Sequence, residues 1–126
     1  MSQPLTTSTN PKDRIGMKKP PIDLVPPVAF IHMAQAMKNG AVKYGPYNWR
    51  DEKVSARIYV AAAMRHILQW LDGEEKAKDS GTHHLGHAAA CLAILLDAQS
   101  TGQLVDDRPK PGSSSQLIEE LTEKSP

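Results

Sequence analysis

Between Trp70 and His87 the chain reads WLDGEEKAKDSGTHHLGH, a stretch that crowds together Asp72, Glu74, Glu75, Asp79, His83, His84 and His87. Carboxylate oxygens beside imidazole nitrogens can hold a divalent cation, pair with one another or carry a proton. Hard oxygens with an optional imidazole suit Mg²⁺ or Mn²⁺, whereas zinc favours more nitrogen and sulfur. A cation held by carboxylates most often grips phosphate oxygens and activates a water. The expected ligand set is Glu74, Glu75, Asp79, His84 and His87. Any one of these alone reads more readily as a solvated helix end or a cap; their density in so short a span favours a site. His84 and His87 are three apart and share a helix face, with the small Cys91 following on it. His83 turns to the other face and reads as a surface residue.

Two further groups could serve the same chemistry. Lys43 to Trp49, KYGPYNW, sets a cation, two tyrosines, an amide and an indole on a Gly/Pro loop. Such a loop can stack a flat ring while the amide reads its edge and the lysine meets a phosphate; taken alone, it reads more readily as an aromatic plug on a small core. Arg65-His66 interrupts an otherwise apolar helical stretch. His66 falls near one face with Tyr59 and Trp70, and so can point toward the Glu74 end. A guanidinium at Arg65 can fork onto two phosphate oxygens, and a structural ion pair is an equally good reading of it.

Three helices must position these groups. The first is expected from Pro27 to Asn39-Gly40, with Phe30, Met33, Ala34 and Met37 at the i, i+3, i+4, i+7 spacing of a buried face. The second spans roughly Val54 to Leu71, with Ile58, Ala62, Ile67 and Leu71 as core candidates. The third opens after Ser80 or Thr82 as N-cap and runs from His84 to about Ser100, with Gly102 as its stop. If the second and third form an antiparallel hairpin, the acids meet the histidines. Residues 11–27 hold Pro11, Pro20, Pro21, Pro26 and Pro27 and read as an extended, ordered segment in which Ile22, Leu24 and Val25 seek burial. No stretch alternates like an exposed strand, so the fold class is all-α. A short helix is expected around Leu117–Leu121. The organisation is a disordered segment 1–10, a domain 11–109 and a tail 110–126.

At 126 residues with a formal net charge of +1, the chain is one domain and offers no scaffold for polynucleotide. The lone Cys91 sits in the apolar run AAACLAILL and suits a reducing compartment, where it is inert. The polar N-terminus carries no secretory signal, and no apolar run approaches the ~20 residues of a membrane span. The expectation is a soluble cytoplasmic protein that contacts neither polynucleotide nor membrane. Its Ala-rich core is thin enough to need completion by other copies, a homo-oligomer. The phosphate-binding motifs G-x-x-x-x-G-K-[ST] and G-x-G-x-x-G, the zinc motif H-E-x-x-H, the nucleobase-deaminase pattern and the His-Asp doublet of HD phosphohydrolases are all missing.

Taken together, NPKDRIGMKKPPIDLVPP, GAVKYGPYNW, RHILQWLDGEE and DSGTHHLGHAAA resemble the small phage and prophage proteins grouped as dATP/dGTP diphosphohydrolases. Those in turn look like MazG-type all-α NTP pyrophosphatases. The resemblance covers about residues 10 to 109 and implies a small MazG-like helical bundle. It also implies metal-dependent hydrolysis of a purine deoxynucleoside triphosphate (dGTP or dATP) to the monophosphate and pyrophosphate, in phage nucleotide-pool metabolism, with Mg²⁺ or Mn²⁺ as cofactor. It places Glu74, Asp79, His84 and His87 in the metal and catalytic region, with Glu74, Asp79 and His87 as the catalytic groups. Around the nucleotide it places Lys19, Lys43, Tyr44, Asn48, Trp49, Arg65 and His66. The chain departs from the wider MazG pattern, which carries a Glu-x-x-Glu pair on one helix and an acidic pair on the next; here the second position offers His84-x-x-His87, with Asp97 as a reserve ligand. Two other readings stand beside it: a non-enzymatic helical adaptor with a structural metal, and a pyrophosphohydrolase of another nucleotide such as dUTP or dCTP.

Overall fold

A computed structural model describes residues 9–124 and is almost entirely helical. Six helices run in the order α1 (Pro11–Gly16), α2 (Pro27–Tyr44), α3 (Asn48–Asp51), α4 (Ala56–Leu71), α5 (His84–Thr101) and α6 (Ser114–Leu121). The expected all-α class holds. The expected disordered segment lies outside the described residues up to residue 8; Asn10 belongs to the fold, its side chain accepting from the Lys12 N–H to cap α1. Proline at the first helical position costs no hydrogen bond, which is why α1 forms inside the Pro-rich segment. A single 3₁₀ turn, Ile22–Leu24, follows. Contrary to expectation the segment is not extended throughout, and Ile22, Leu24 and Val25 remain exposed.

The long helices differ from their sequence-derived bounds at their ends, for local reasons. α2 runs through Asn39-Gly40 and stops at Gly45, whose φ of 94° suits glycine and whose N–H bonds to Ala41 O. Pro46 then forbids continuation. Val54 and Ser55, expected within the second helix, instead form β1 and pair in parallel with β2 (Leu104–Val105). Branched, buried Val54 fits that setting. Ser55 becomes the N-cap of α4, accepting from the Ile58 N–H, while Asp107 accepts from the Arg57 N–H and from the Ser55 hydroxyl. These bonds hold the Asp107 carboxyl below the usual carboxylate range. The chain after α5 is thereby tied to the start of α4.

α5 is the central element, in contact with α4 and with α2. The pairings His66–His84 and Tyr59–Cys91 run in opposite order along α4 and α5, so these two helices form an antiparallel hairpin. α2 runs alongside α5 in the same direction: His32 lies against Gly86, and beyond the end of α2 Arg50 reaches Asp97. A Cβ on Gly86 would fall 2.6 Å from the His32 carbonyl oxygen, so only glycine allows this approach.

The fully buried apolar residues are mostly alanines: Ala36, Ala56, Ala63, Ala88, Ala90 and Ala98. Of the larger apolar side chains expected in the core, Met33 and Met37 are half-buried, whereas Phe30, Ile58, Ile67 and Leu71 turn outward, Phe30 being 48% and Leu71 70% exposed. Close helix contact through small residues explains both observations: it leaves no room for large side chains between α5 and its neighbours. Helix α6 forms where a short helix was expected but has few contacts with other elements. Among the described residues no helix is long and apolar enough to cross a membrane.

Candidate active site

The twelve-residue link 72–83 from α4 to α5 folds back on itself as a small hairpin. The Ala77 N–H donates to Thr82 O and the His84 N–H to Glu75 O, with Lys76 and His83 bridged antiparallel. This leaves His83 in an extended conformation, so His83, rather than Ser80 or Thr82, is the N-cap of α5; its Nδ1 accepts from the Leu85 N–H. His83 also lies 3.2 Å from Glu75 and packs on the His32 ring, so it is half-buried at a helix junction, not a free surface residue.

The hairpin fold brings three imidazoles together. His66 from α4 and His84 from α5 approach Nδ1 to Nδ1 at 2.8 Å. The His66 ring stacks on His87, centroids 4.6 Å apart at an interplanar angle of 16°. His87 Nε2 lies 2.8 Å from the Ser80 hydroxyl. His84 is 1% exposed, and its Nε2 lies 3.5 Å from Glu74 Oε2 without a formed hydrogen bond. Burial holds the pKa of both His66 and His87 below the ordinary histidine value, and neighbouring imidazoles push in the same direction. Both rings are therefore neutral at neutral pH and available as bases or acceptors.

Of these histidines, His66 and His87 open onto a cleft of about 480 Å³ between α2 and α4, floored by α5. His87, Ala90, Cys91 and Ile94 line the floor; Tyr44, Asn48 and Trp49 line one end, and His66, His87 and Asp79 the other. Lys43 from α2 reaches Asp79 at 3.8 Å, an exposed pair that leaves both groups free to exchange partners. A smaller hollow of about 360 Å³, lined by His66, Gln69, Glu74, Ala77, Lys78, Asp79 and His84, adjoins the cleft and shares His66 and Asp79 with it. Burial raises the pKa of the Cys91 thiol, so it stays protonated.

Of the residues singled out from sequence, the structure brings Lys43, Tyr44, Asn48, Trp49, His66, Asp79 and His87 into one cleft, with Glu74 and His84 just behind it. Four are not brought there. Arg65 lies on the outer side of α4 in a groove with Arg57, Val60, Met64 and Asp107, because His66 takes the inward position at that level of the helix. Lys19 belongs to the Pro-rich segment and is not part of the cleft lining. Glu75 pairs with His83 on the outside of the link. Asp97 is engaged by Arg50 through two hydrogen bonds of 2.6 and 2.7 Å and so cannot serve as a reserve ligand. Among the described residues no three His, Cys, Asp or Glu side chains gather closely enough to hold a metal ion. The expected five-residue ligand set is therefore not assembled. What remains is the carboxylates Glu74 and Asp79 on one hollow, beside the unpartnered His84 Nε2. One or two carboxylates fit Mg²⁺ or Mn²⁺ delivered with a phosphate ligand, which does not require an all-protein cage.

Sequence reasoning missed the direct contact of His66 with His84 and the part played by Ser80. The signal for the first was present: a polar histidine in an apolar helix falls opposite residue 84 once the hairpin register is set.

Fold and site together define a small helical domain built around a ligand-sized cleft. Residues 9–108 match the family described as dATP/dGTP diphosphohydrolase, N-terminal, and the chain belongs to that family. Over 90 residues it is 29% identical to a dATP/dGTP diphosphohydrolase of Salmonella phage PMBT28, an alignment that covers 71% of this chain. The chain spans only about 30% of that relative's length. No solved structure matches it.

Proposed function

We propose that this domain hydrolyses purine deoxynucleoside triphosphates, dGTP or dATP, to the monophosphate and pyrophosphate. The observation that carries this reading is the two-ended cleft, which offers aromatic rings and an amide at one end and neutral imidazoles with carboxylates at the other. Its volume lies within the roughly 300–1,000 Å³ of ligand pockets. The phage relative, a dATP/dGTP diphosphohydrolase, supports the same substrate class.

In this reading Trp49 and Tyr44 stack the purine and Asn48 meets its edge. Lys43 leaves Asp79 and neutralises phosphate charge. Glu74 and Asp79 would hold Mg²⁺ or Mn²⁺, which when bound would neutralise phosphoryl charge and acidify water. His87 is neutral at working pH and oriented by Ser80. It takes the proton of the attacking water, and catalysis rests mainly on positioning and electrostatics.

The outward apolar residues of α4, Val60, Met64, Ile67, Leu68 and Leu71, support the expected homo-oligomer, since side chains of this size are commonly covered by a partner. The nucleotide-pool role and a cytoplasmic site of action belong to the same proposal.

The test is a panel assay in which the protein is mixed with each common NTP and dNTP and Mg²⁺ or Mn²⁺, and the products are separated by phosphate number. Monophosphate plus pyrophosphate from dGTP or dATP, abolished by EDTA, is the expected result. Turnover confined to dUTP or dCTP would replace the substrate assignment, and no turnover of any nucleotide would sink the enzymatic reading.

A further inference from the structure

His84 is the one polar side chain buried among the described residues, and it lines the hollow behind the cleft with one nitrogen unpartnered. Its surroundings constrain where its proton sits. The Nδ1 atoms of His84 and His66, 2.8 Å apart, must share a single proton, because two bare nitrogens or two N–H groups would repel. Which ring donates is decided at the far side of His84. There Nε2 faces the Glu74 carboxylate at 3.5 Å. A bare Nε2 would set its lone pair against carboxylate oxygens, whereas a protonated Nε2 is attracted to them. With that proton on Nε2, Nδ1 of His84 is left bare and accepts. His66 then donates from Nδ1, and its own Nε2 is left unprotonated on the opposite side of the ring. His66 lines the cleft and is held flat against His87, so the ring cannot easily turn to another partner. A histidine nitrogen whose state is fixed by the partner of the other nitrogen is a general device for orienting an imidazole.

We propose that His84 is a positioning residue: Glu74 keeps its proton on Nε2, and through the Nδ1–Nδ1 hydrogen bond it makes His66 present a bare Nε2 to the cleft as acceptor for an O–H donor. That donor is the sugar hydroxyl of the bound nucleotide or the attacking water. Only this last step rests on the nucleotide reading; the tautomer assignment stands apart from it. His84 is accordingly removed from the expected metal-ligand set.

The experiment is ¹⁵N NMR of the imidazole nitrogens in the full chain, without nucleotide, at a pH where the rings are neutral. The expected result is His66 protonated at Nδ1 and His84 at Nε2. The reverse pair, or both rings averaging between tautomers, overturns the proposal, and so does loss of the His84 Nε2 proton on adding Mg²⁺. In Glu74→Ala, which still shows the remaining folded-state signals, the two rings should become a mixture; an unchanged tautomer removes Glu74 from the account. With turnover established, a 2′,3′-dideoxy analogue separates the two donors. A raised KM for the analogue, with His66→Gln adding little to it, identifies the sugar hydroxyl. An unaltered KM with a lowered kcat in His66→Gln identifies the water. If neither constant moves, His66 is not the acceptor. The expected tautomers in a protein that turns over no nucleotide would count against the nucleotide reading alone.

Discussion

The two ends of the cleft are built in different ways. At the histidine end each ring is held by another group: His66 by His84 and His87, His87 by Ser80, and His84 by burial beside Glu74. At the aromatic end the rings lean on one another at the surface, with Tyr47 edge-on to Trp49 at 5.8 Å and Arg50 over the indole at 5.1 Å. Tyr44 and Tyr47 stay exposed. Chemistry that depends on direction needs groups fixed before the ligand arrives, whereas a face that stacks a flat ring tolerates some play. The difference points to rate being set at one end and affinity at the other.

That division can be broken by substitution. The largest effect is expected for Glu74→Gln, which should lower kcat by roughly 10²-fold or more, as loss of a preorganised charge does elsewhere. A comparable fall in a folded Trp49→Ala protein would erase the distinction between the ends. Next comes Gly86→Ala, which sets a Cβ against the His32 carbonyl, where backbone must move to relieve it. A loss of about 1–3 kcal/mol in denaturant unfolding is expected, with α2 forced away from α5. Trp49→Ala should raise KM by roughly 10-fold with kcat nearly unchanged, in line with the 1–3 kcal/mol worth of base–aromatic stacking. Stopping the chain after residue 112 should change melting and KM least, because α6 has few contacts with the rest.

Acid should affect only the histidine end. Burial holds the folded-state pKa of His66 and His87 below their ordinary 6.5, so at mildly acid pH the unfolded chain binds more protons than the folded one. Stability from this source is fully present above about pH 6.5 and is lost as the pH falls through the folded-state values. Unfolding in denaturant at about pH 7.5 and about pH 5.5 should show the decline, and replacing both histidines by glutamine should flatten it.

The sequence made some of this legible and hid the rest for physical reasons. Helical periodicity and Gly102 mark three long helices, although the first runs past the expected Asn39-Gly40 end to Tyr44, and the density of acids and histidines marks the link that carries the site. The burial of the apolar residues was misread because periodicity identifies an apolar face without saying what covers it. In α4 Ala56 and Ala63 are buried, and Met64, Ile67 and Leu71 are exposed. Arg65 and His66 are adjacent in sequence, about 100° apart on a helix, and only the register of the hairpin decides which enters the cleft. The two short strands were invisible because each is two residues long and its partner lies some fifty residues away.

Cys91 gives the cleft a further property. It is the sole cysteine of the chain and part of the cleft floor, about one helical turn from His87. Because its thiol is kept protonated, an alkylating reagent should modify it slowly, and an occupant of the cleft would slow it further. The fold thus carries a built-in occupancy gauge, read by mass spectrometry at one sulfur atom, which would register a ligand whether or not the ligand is turned over.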